Sequence, residues 1–172
     1  MKDSGQIFKP DPSGPALTLL ERRSIEAAIV GPLMRAFIDR FGEKPSLEVL
    51  SGVIEQLARA SGQDLAAIPG ECSLEAFATT LDRWKAGGAL EMEILEQGPE
   101  KLEFNVTRCR YAEMYHQLGL ADLGKTLSCL RDYELAHGFN PEIELTRTQT
   151  IMEGASFCDF RFWLKRDKPP ED

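Results

Sequence analysis

Leu90-Glu-Met-Glu-Ile-Leu-Glu-Gln-Gly-Pro-Glu-Lys-Leu-Glu-Phe-Asn-Val106 is where the chain changes period. Leu90, Met92 and Ile94, then Leu102, Phe104 and Val106, alternate with polar neighbours on either side of Gln97-Gly98-Pro99-Glu100. A period of two sends successive side chains to opposite faces of a pleated strand. Two such runs around a Gly-Pro turn describe an antiparallel hairpin with one buried face. The second strand runs directly into Arg108-Cys109-Arg110.

Upstream the spacing is helical. Between Ala16 and Phe41, the residues Leu19, Ile25, Ile29, Leu33, Phe37 and Phe41 predict one long helix, with Gly31-Pro32 as the place for a kink. Ser46 is an N-cap candidate for a second helix through Leu50, Ile54, Leu57 and Ala58, and Gly62 is suited to ending it. Ser73 caps a third, through Phe77 and Trp84 to a stop at Gly87-Gly88. Downstream, helices are predicted over Tyr111–Leu118 and Ala121–His137, the latter closed by Gly138-Phe-Asn-Pro141. Strands follow over Glu142–Met152 and Phe157–Leu164, joined by Glu153-Gly-Ala-Ser156. This order is an α+β fold: an antiparallel sheet of about four strands covered by helices, with long N-terminal helices.

At 172 residues and 42% hydrophobic content the chain suits one domain, over 16–166. A proline-rich flexible arm is expected over 1–15 and a polar, frayed tail over 167–172. A net charge of -8 argues against nucleic acid or an anionic membrane as partner, because both repel an acidic surface. A small molecule fits better. No apolar run approaches the ~18 residues that span a bilayer, and Met1-Lys-Asp-Ser-Gly-Gln6 lacks the core of a secretory signal, so the expected location is the cytoplasm. The first helix carries more apolar residues than a small sheet requires, which predicts a stripe for a symmetry mate and a homo-oligomer, such as a dimer.

Cys72, Cys109, Cys129 and Cys158 are widely spaced, with no Cys-x-x-Cys pair and only His116 and His137 to assist them. No disulfide, metal site or cofactor is expected from that arrangement. The plain reading of each thiol is a small core residue. Ionisable groups nevertheless recur inside hydrophobic segments in three blocks: Asn105–Tyr111, Leu127–Asp132 and Thr146–Phe160. Burying each costs several kcal/mol unless it is paired, so three such blocks predict a shared polar pocket. On a strand Arg147, Gln149, Ile151 and Glu153 share one face, while Asp159 and Arg161 lie opposite Cys158, Phe160, Phe162 and Leu164. For Asp159 and Arg161 a solvated face with cross-strand ion pairs explains the pattern equally well. Cys109 stands between Arg108 and Arg110, where cations favour a thiolate, and Glu113 and His116 follow on the next helical turns. Cys129 and Asp132 stand three apart on another helix. Neither histidine forms a nucleophile-base-orienter pattern with these thiols, which argues against a protease-like triad.

Asn105-Val-Thr-Arg-Cys-Arg-Tyr-Ala-Glu-Met-Tyr115, Gly138-Phe-Asn-Pro141, Leu145-Thr-Arg-Thr-Gln-Thr-Ile-Met-Glu-Gly-Ala155 and Cys158-Asp-Phe-Arg161 together resemble the L-2-amino-thiazoline-4-carboxylic acid hydrolase family. The similarity is dense from Phe104 to Phe162. It implies hydrolytic opening of a small cyclic amidine-like ring, with N-carbamoyl-L-cysteine as the product of the namesake reaction. Water or a protein thiolate would add to the ring carbon between nitrogen and sulfur, and the leaving sulfur would take a proton. In that light Arg108 or Arg110, with Arg147, are candidates to clamp a carboxylate or oxyanion, helped by Asn105 and Gln149. Glu113 and Glu153 lead as general acid-base groups, with Asp132 behind them. Cys109 leads as a nucleophile if the route is covalent, followed by Cys158 and Cys129. At Phe157 the chain departs from the polar residue that the resemblance implies before Cys158, so no proton transfer is assigned there. The closing strand is also similar, over a shorter stretch, to 4-vinyl reductase domains, which implies a rival role as a non-catalytic small-molecule-binding module.

Overall fold

The computed structural model describes residues 17–165. The arm over 1–15 and the tail over 167–172 lie outside the described residues. Helix α1 (Leu19–Phe41) starts from a capping box: the Glu21 N–H donates to the Thr18 hydroxyl (3.2 Å) and the Thr18 N–H to the Glu21 carboxylate (2.8 Å). Pro32 sits inside α1, which runs through it as one helix. Beside it Gly31 leaves room for the Leu120 side chain, where a Cβ would overlap it.

Helix α2 (Glu43–Ala66) begins three residues before the expected cap. Gly42, at φ 90, makes the break, and Ser46 instead lies within the helix and donates its hydroxyl to the Gly42 carbonyl (2.7 Å). Gly62 does not end α2. It lies within the helix, against the backbone of Leu135, Gly138 and Phe139, and its role is close packing. The third predicted helix is two short ones, α3 (Leu74–Ala78), capped by Ser73, and α4 (Leu81–Lys85). Strands β1 (Leu90–Gln97) and β2 (Lys101–Cys109) form the expected hairpin. Its buried side comes from Leu102, Phe104 and Val106 of β2, whereas β1 is an edge strand with two register shifts, leaving Ile94 half exposed.

Helix α5 (Arg110–Gln117) follows. The next helical run comprises α6 (Ala121–Gly124), a π-helical turn over Lys125–Cys129, and α7 (Arg131–Phe139). Strand β3 spans only Ile143–Thr146, and β4 spans Cys158–Leu164. The expected strand to Met152 stops early because 147–150 leave the ladder: the Asp159 carboxylate accepts the N–H groups of Thr148 (3.0 Å) and Gln149 (2.9 Å). The chain then makes a single 3-10 turn over Ile151–Glu153.

The architecture is α+β, with an antiparallel sheet in the order β1-β2-β4-β3. One sheet face presents Phe104, Phe160 and Phe162 to α3, α4 and α7, and Phe77 packs on Phe162 and Phe139 with ring centroids 5.1 and 5.3 Å apart. A second apolar cluster gathers Met34, Leu50, Ile54, Tyr115, Leu123 and Leu127 from the remaining helices. Cys109 and Ile151 pack against both clusters, so the seam between them is where buried polar groups collect. No helix of the described residues is long and apolar enough to cross a membrane.

The inward stripe of α1 is Ala27, Gly31 and Met34. The larger apolar residues expected to mark its packing face, Ile25, Ile29, Leu33, Phe37 and Phe41, are exposed. Close approach to α2, α5 and Leu120 favours small side chains at Ala27 and Gly31.

Candidate functional site

A cleft of about 640 Å³, counted to its open mouth, lies on this seam. β2 ends in it with Cys109, β4 starts in it with Cys158, and the π-helical turn brings in Cys129. Single π turns recur at functional sites because the extra residue re-aims side chains. Arg131 and Asp132, in the first turn of α7, complete one wall, with Arg147 from the segment beyond β3 and Arg23 from α1.

Arg147 reaches the cleft because its strand has ended. Its side chain is only 5% exposed, donates to the Asp132 carboxylate (2.5 Å) and the Cys129 carbonyl (3.0 Å), and lies over the rings of Tyr133 and Phe160. Burial works against its charge, and the Asp132 carboxylate more than offsets that, holding Arg147 cationic. Burial pushes the Asp132 carboxyl upward, against the pull of Arg147. The two form an enclosed, nearly neutral unit, with 22% of the Asp132 side chain still exposed.

The three thiols of the cleft are protonated groups. Burial raises Cys109 to about 11, against the N–H that Ala112 donates to its sulfur at 3.5 Å. Burial likewise raises Cys129, with the Asp132 charge adding to it, and Cys158, although the Ile151 N–H donates to that sulfur at 3.2 Å. The expectation that flanking arginines make Cys109 a thiolate meets a physical obstacle: Arg108 and Arg110 are exposed, and their heads bind elsewhere. Cys72 is exposed. A thiol-specific reagent at pH 8 should therefore modify Cys72 promptly, and Cys109 about a hundredfold more slowly than an ordinary cysteine, with the lag closing as pH nears 11. Peptide mass mapping across a pH series checks this.

The remaining candidates lie apart from the cleft. Arg108 pairs with Glu113 (2.7 Å) and Glu91 (3.4 Å) on the surface, and Arg110 donates to the Gly87 carbonyl (2.9 Å). The Asn105 side-chain oxygen accepts from Arg161 (2.9 Å), and Asp159 is taken up by Thr148 and Gln149. Glu153 and Gln149 border a separate cleft of about 790 Å³, which shares Cys129 and Arg147 with the first. Several of its polar groups are engaged within the chain: Lys125 with Glu153 (2.5 Å), Thr150 with Glu153 (2.9 Å), and the Gln149 amide with the Phe157 carbonyl (3.1 Å). Hydrogen bonds from Arg108 hold Glu113 below the usual carboxylate range, and those from Lys125 and Thr150 do so for Glu153. Neither is poised to donate a proton near neutral pH.

The structure thus brings together Cys109, Cys129, Asp132, Cys158 and Arg147 from the sequence candidates, and adds Arg23, Arg131 and Tyr111. Arg131 was visible beside Asp132 in the second polar block. Arg23 was detectable as a charge four residues before Ala27, on the inward stripe of α1. The Tyr111 hydroxyl donates to the Trp84 carbonyl (3.2 Å), and burial raises it well above its ordinary range. Among the described residues no group of His, Cys, Asp and Glu is arranged to hold a metal ion.

A sequence model of the family described as L-2-amino-thiazoline-4-carboxylic acid hydrolase matches residues 22–162. No curated protein matches the chain. Among solved structures it is similar in fold to a trafficking protein particle complex subunit 3 from Naegleria fowleri covalently bound to palmitic acid. That likeness has TM-score 0.51 at 9% identity and covers 83% of this chain and 95% of the other. The phenol-responsive sensory domain of the transcription activator PoxR, with phenol, aligns at TM-score 0.47 and 12% identity over 83% of this chain and 76% of that one.

Proposed function

Because the chain belongs to the L-2-amino-thiazoline-4-carboxylic acid hydrolase family, we propose that it opens a small cyclic amidine-like ring by hydrolysis, with 2-amino-thiazoline-4-carboxylate as the substrate to test first. The match over 22–162 carries this reading, since it spans every element that lines the cleft from Arg23 to Phe160. Water adds to the ring carbon between nitrogen and sulfur, the bond from that carbon to sulfur breaks, and sulfur leaves as a thiol with a proton. N-carbamoyl-L-cysteine results. Asp132 takes a proton from the water, Arg147 balances the charge beside it, and Cys109 or Cys158 relays that proton, giving its own to the leaving sulfur and regaining one from Asp132. Protonated resting thiols favour attack by water over a covalent route.

Release of free thiol from 2-amino-thiazoline-4-carboxylate by the purified chain tests the proposal. Turnover is expected in the wild type and, reduced but present, in Cys109→Ser. Loss of all turnover in that variant, together with a substrate adduct on Cys109 in the wild type, would replace the water route with a covalent one.

A binding module without turnover is the second reading. It draws on the absence of a ready thiolate in the cleft, and on a related fold whose solved example carries palmitic acid covalently. Saturable binding of the thiazoline with no thiol release would select it. Four free thiols suit a reducing cytoplasm. The exposed Ile25, Ile29, Leu33, Phe37 and Phe41 of α1 are the surface on which a second copy would pack, and light scattering showing only monomer would remove that oligomer.

A further inference from the structure

Charge around the cleft is uneven. Arg147 has its own partner in Asp132 at 2.5 Å. Among the described residues Arg23 and Arg131 share one carboxylate: both approach the same oxygen of Glu26, Arg23 in a close hydrogen bond and Arg131 at 3.7 Å, beyond hydrogen-bonding range. The side chains of Arg23 and Arg131 are 14% and 11% exposed, whereas that of Glu26 is 40% exposed and leans toward solvent. Two enclosed guanidinium groups therefore face one outlying carboxylate, and enclosed charges are retained when something pairs them. The Nε of Arg131 donates to the Leu127 carbonyl (2.8 Å), which fixes the direction of its fork. Burial first, and then Arg23, lowers Arg131 to about 10, the strain expected of a cation that lacks a full partner.

Resting on the reading of this cleft as the substrate site, we infer that Arg23 and Arg131 form its anion subsite and hold the carboxylate of a compact cyclic amino acid. The remainder of the lining is mostly apolar, with Leu19, Trp84, Leu90 and Val106 suited to the ring body and the three thiols close to Asp132. The arrangement is bipolar: an anion anchored at Arg23 and Arg131 lies with its ring toward Asp132 and the cysteines. Arg147, already paired, is then a charge-balancing group and not the carboxylate clamp. Two guanidinium forks select a planar carboxylate over a neutral amide of the same shape.

Calorimetric titration with thiazolidine-4-carboxylate and with its carboxamide tests this without requiring turnover. The acid should bind saturably and the amide at least about tenfold more weakly. Arg131→Gln and Arg23→Gln should each lose about tenfold in affinity for the acid, Arg131→Lys should lose less, and Glu26→Gln should bind the acid more tightly because it frees both cations. Equal affinity for acid and amide, binding of neither, or wild-type affinity in Arg131→Gln would overturn the assignment. Should Arg131→Gln not fold, the Lys variant and Glu26→Gln decide. A chain that binds the acid in this pattern yet releases no thiol from the thiazoline sinks the hydrolase reading and leaves the subsite standing. Turnover whose KM is untouched by Arg131→Lys and Glu26→Gln does the reverse.

Discussion

Asp132→Ala is expected to destabilise the fold by about 3–5 kcal/mol and to abolish turnover. The reason is the state in which it leaves Arg147. With a side chain only 5% exposed and held over two aromatic rings, that guanidinium cannot return to water without unpacking the seam between the two apolar clusters. Removing one partner of a buried pair costs more than the pair contributes, because the remaining charge stays desolvated and unmatched. At this chain length the melting temperature should fall by about 6–20 °C. Replacing both partners, as Asp132→Leu with Arg147→Met, should recover most of that loss while leaving the chain inactive, which separates the electrostatic cost from packing. The pH dependence has a defined sign. Burial raises the Asp132 carboxyl in the folded chain, so as pH falls from neutrality, where the carboxylate pairs with Arg147, the fold takes up a proton there before the unfolded chain does. This contribution is complete below the ordinary carboxyl value of about 3.9 and fades as pH rises through the raised one. Asp132→Asn should remove that slope from a plot of unfolding free energy against pH. An Asp132→Ala chain as stable as the wild type would show that Arg147 finds water or another acceptor.

The parts of the molecule legible in the sequence are those whose pattern is local. Leu102, Phe104 and Val106 announce β2 because alternation and burial coincide there. Cys109, Asp132, Cys158 and Arg147 stood out as ionisable or thiol groups inside apolar segments, and they do share a cleft. Arg108, Arg110 and Glu113 looked equivalent to them by proximity to Cys109, yet a strand that ends in a helix turns neighbouring side chains in different directions. Where the reading failed, the deciding partner was distant in the chain. Nothing between Arg147 and Thr150 says that the Asp159 carboxylate will take the backbone N–H groups of Thr148 and Gln149 and end β3. Arg23 and Arg131 meet only through Glu26 and the fold. On α1 the large apolar residues drew the eye, although a helix pressed against others buries Ala27 and Gly31. Gly62 had the chemistry of a helix stop and the position of a contact.

That contact yields the second large effect. Gly62→Ala should destabilise the fold by about 2 kcal/mol or more, and Gly138→Ala similarly, whereas Gly52→Ala in the same α2 should be neutral or stabilising by up to about 1 kcal/mol. A Cβ at Gly62 would overlap the Leu135 carbonyl oxygen and crowd the backbone at Gly138 and Phe139, and one at Gly138 would overlap the Arg59 carbonyl. Backbone cannot rotate out of the way as a side chain does, so α2 and α7 would have to separate. At Gly52 no atom lies within 4 Å of the added carbon, and only the gain in helix propensity remains. The crossing also bears on chemistry. Arg131 and Asp132 occupy the first turn of α7 and Cys129 precedes it, so a shift of α7 moves one wall of the cleft against Cys109 and Cys158 on the sheet. Displacements of about 1 Å cost active sites on the order of a hundredfold in rate. The Gly62 and Gly138 variants should therefore lose turnover even at temperatures where they remain folded, and Gly52→Ala should keep it. Equal melting temperatures for Gly62→Ala and Gly52→Ala would mean that the two helices do not touch through their backbones, and the placement of α7 would then need another cause.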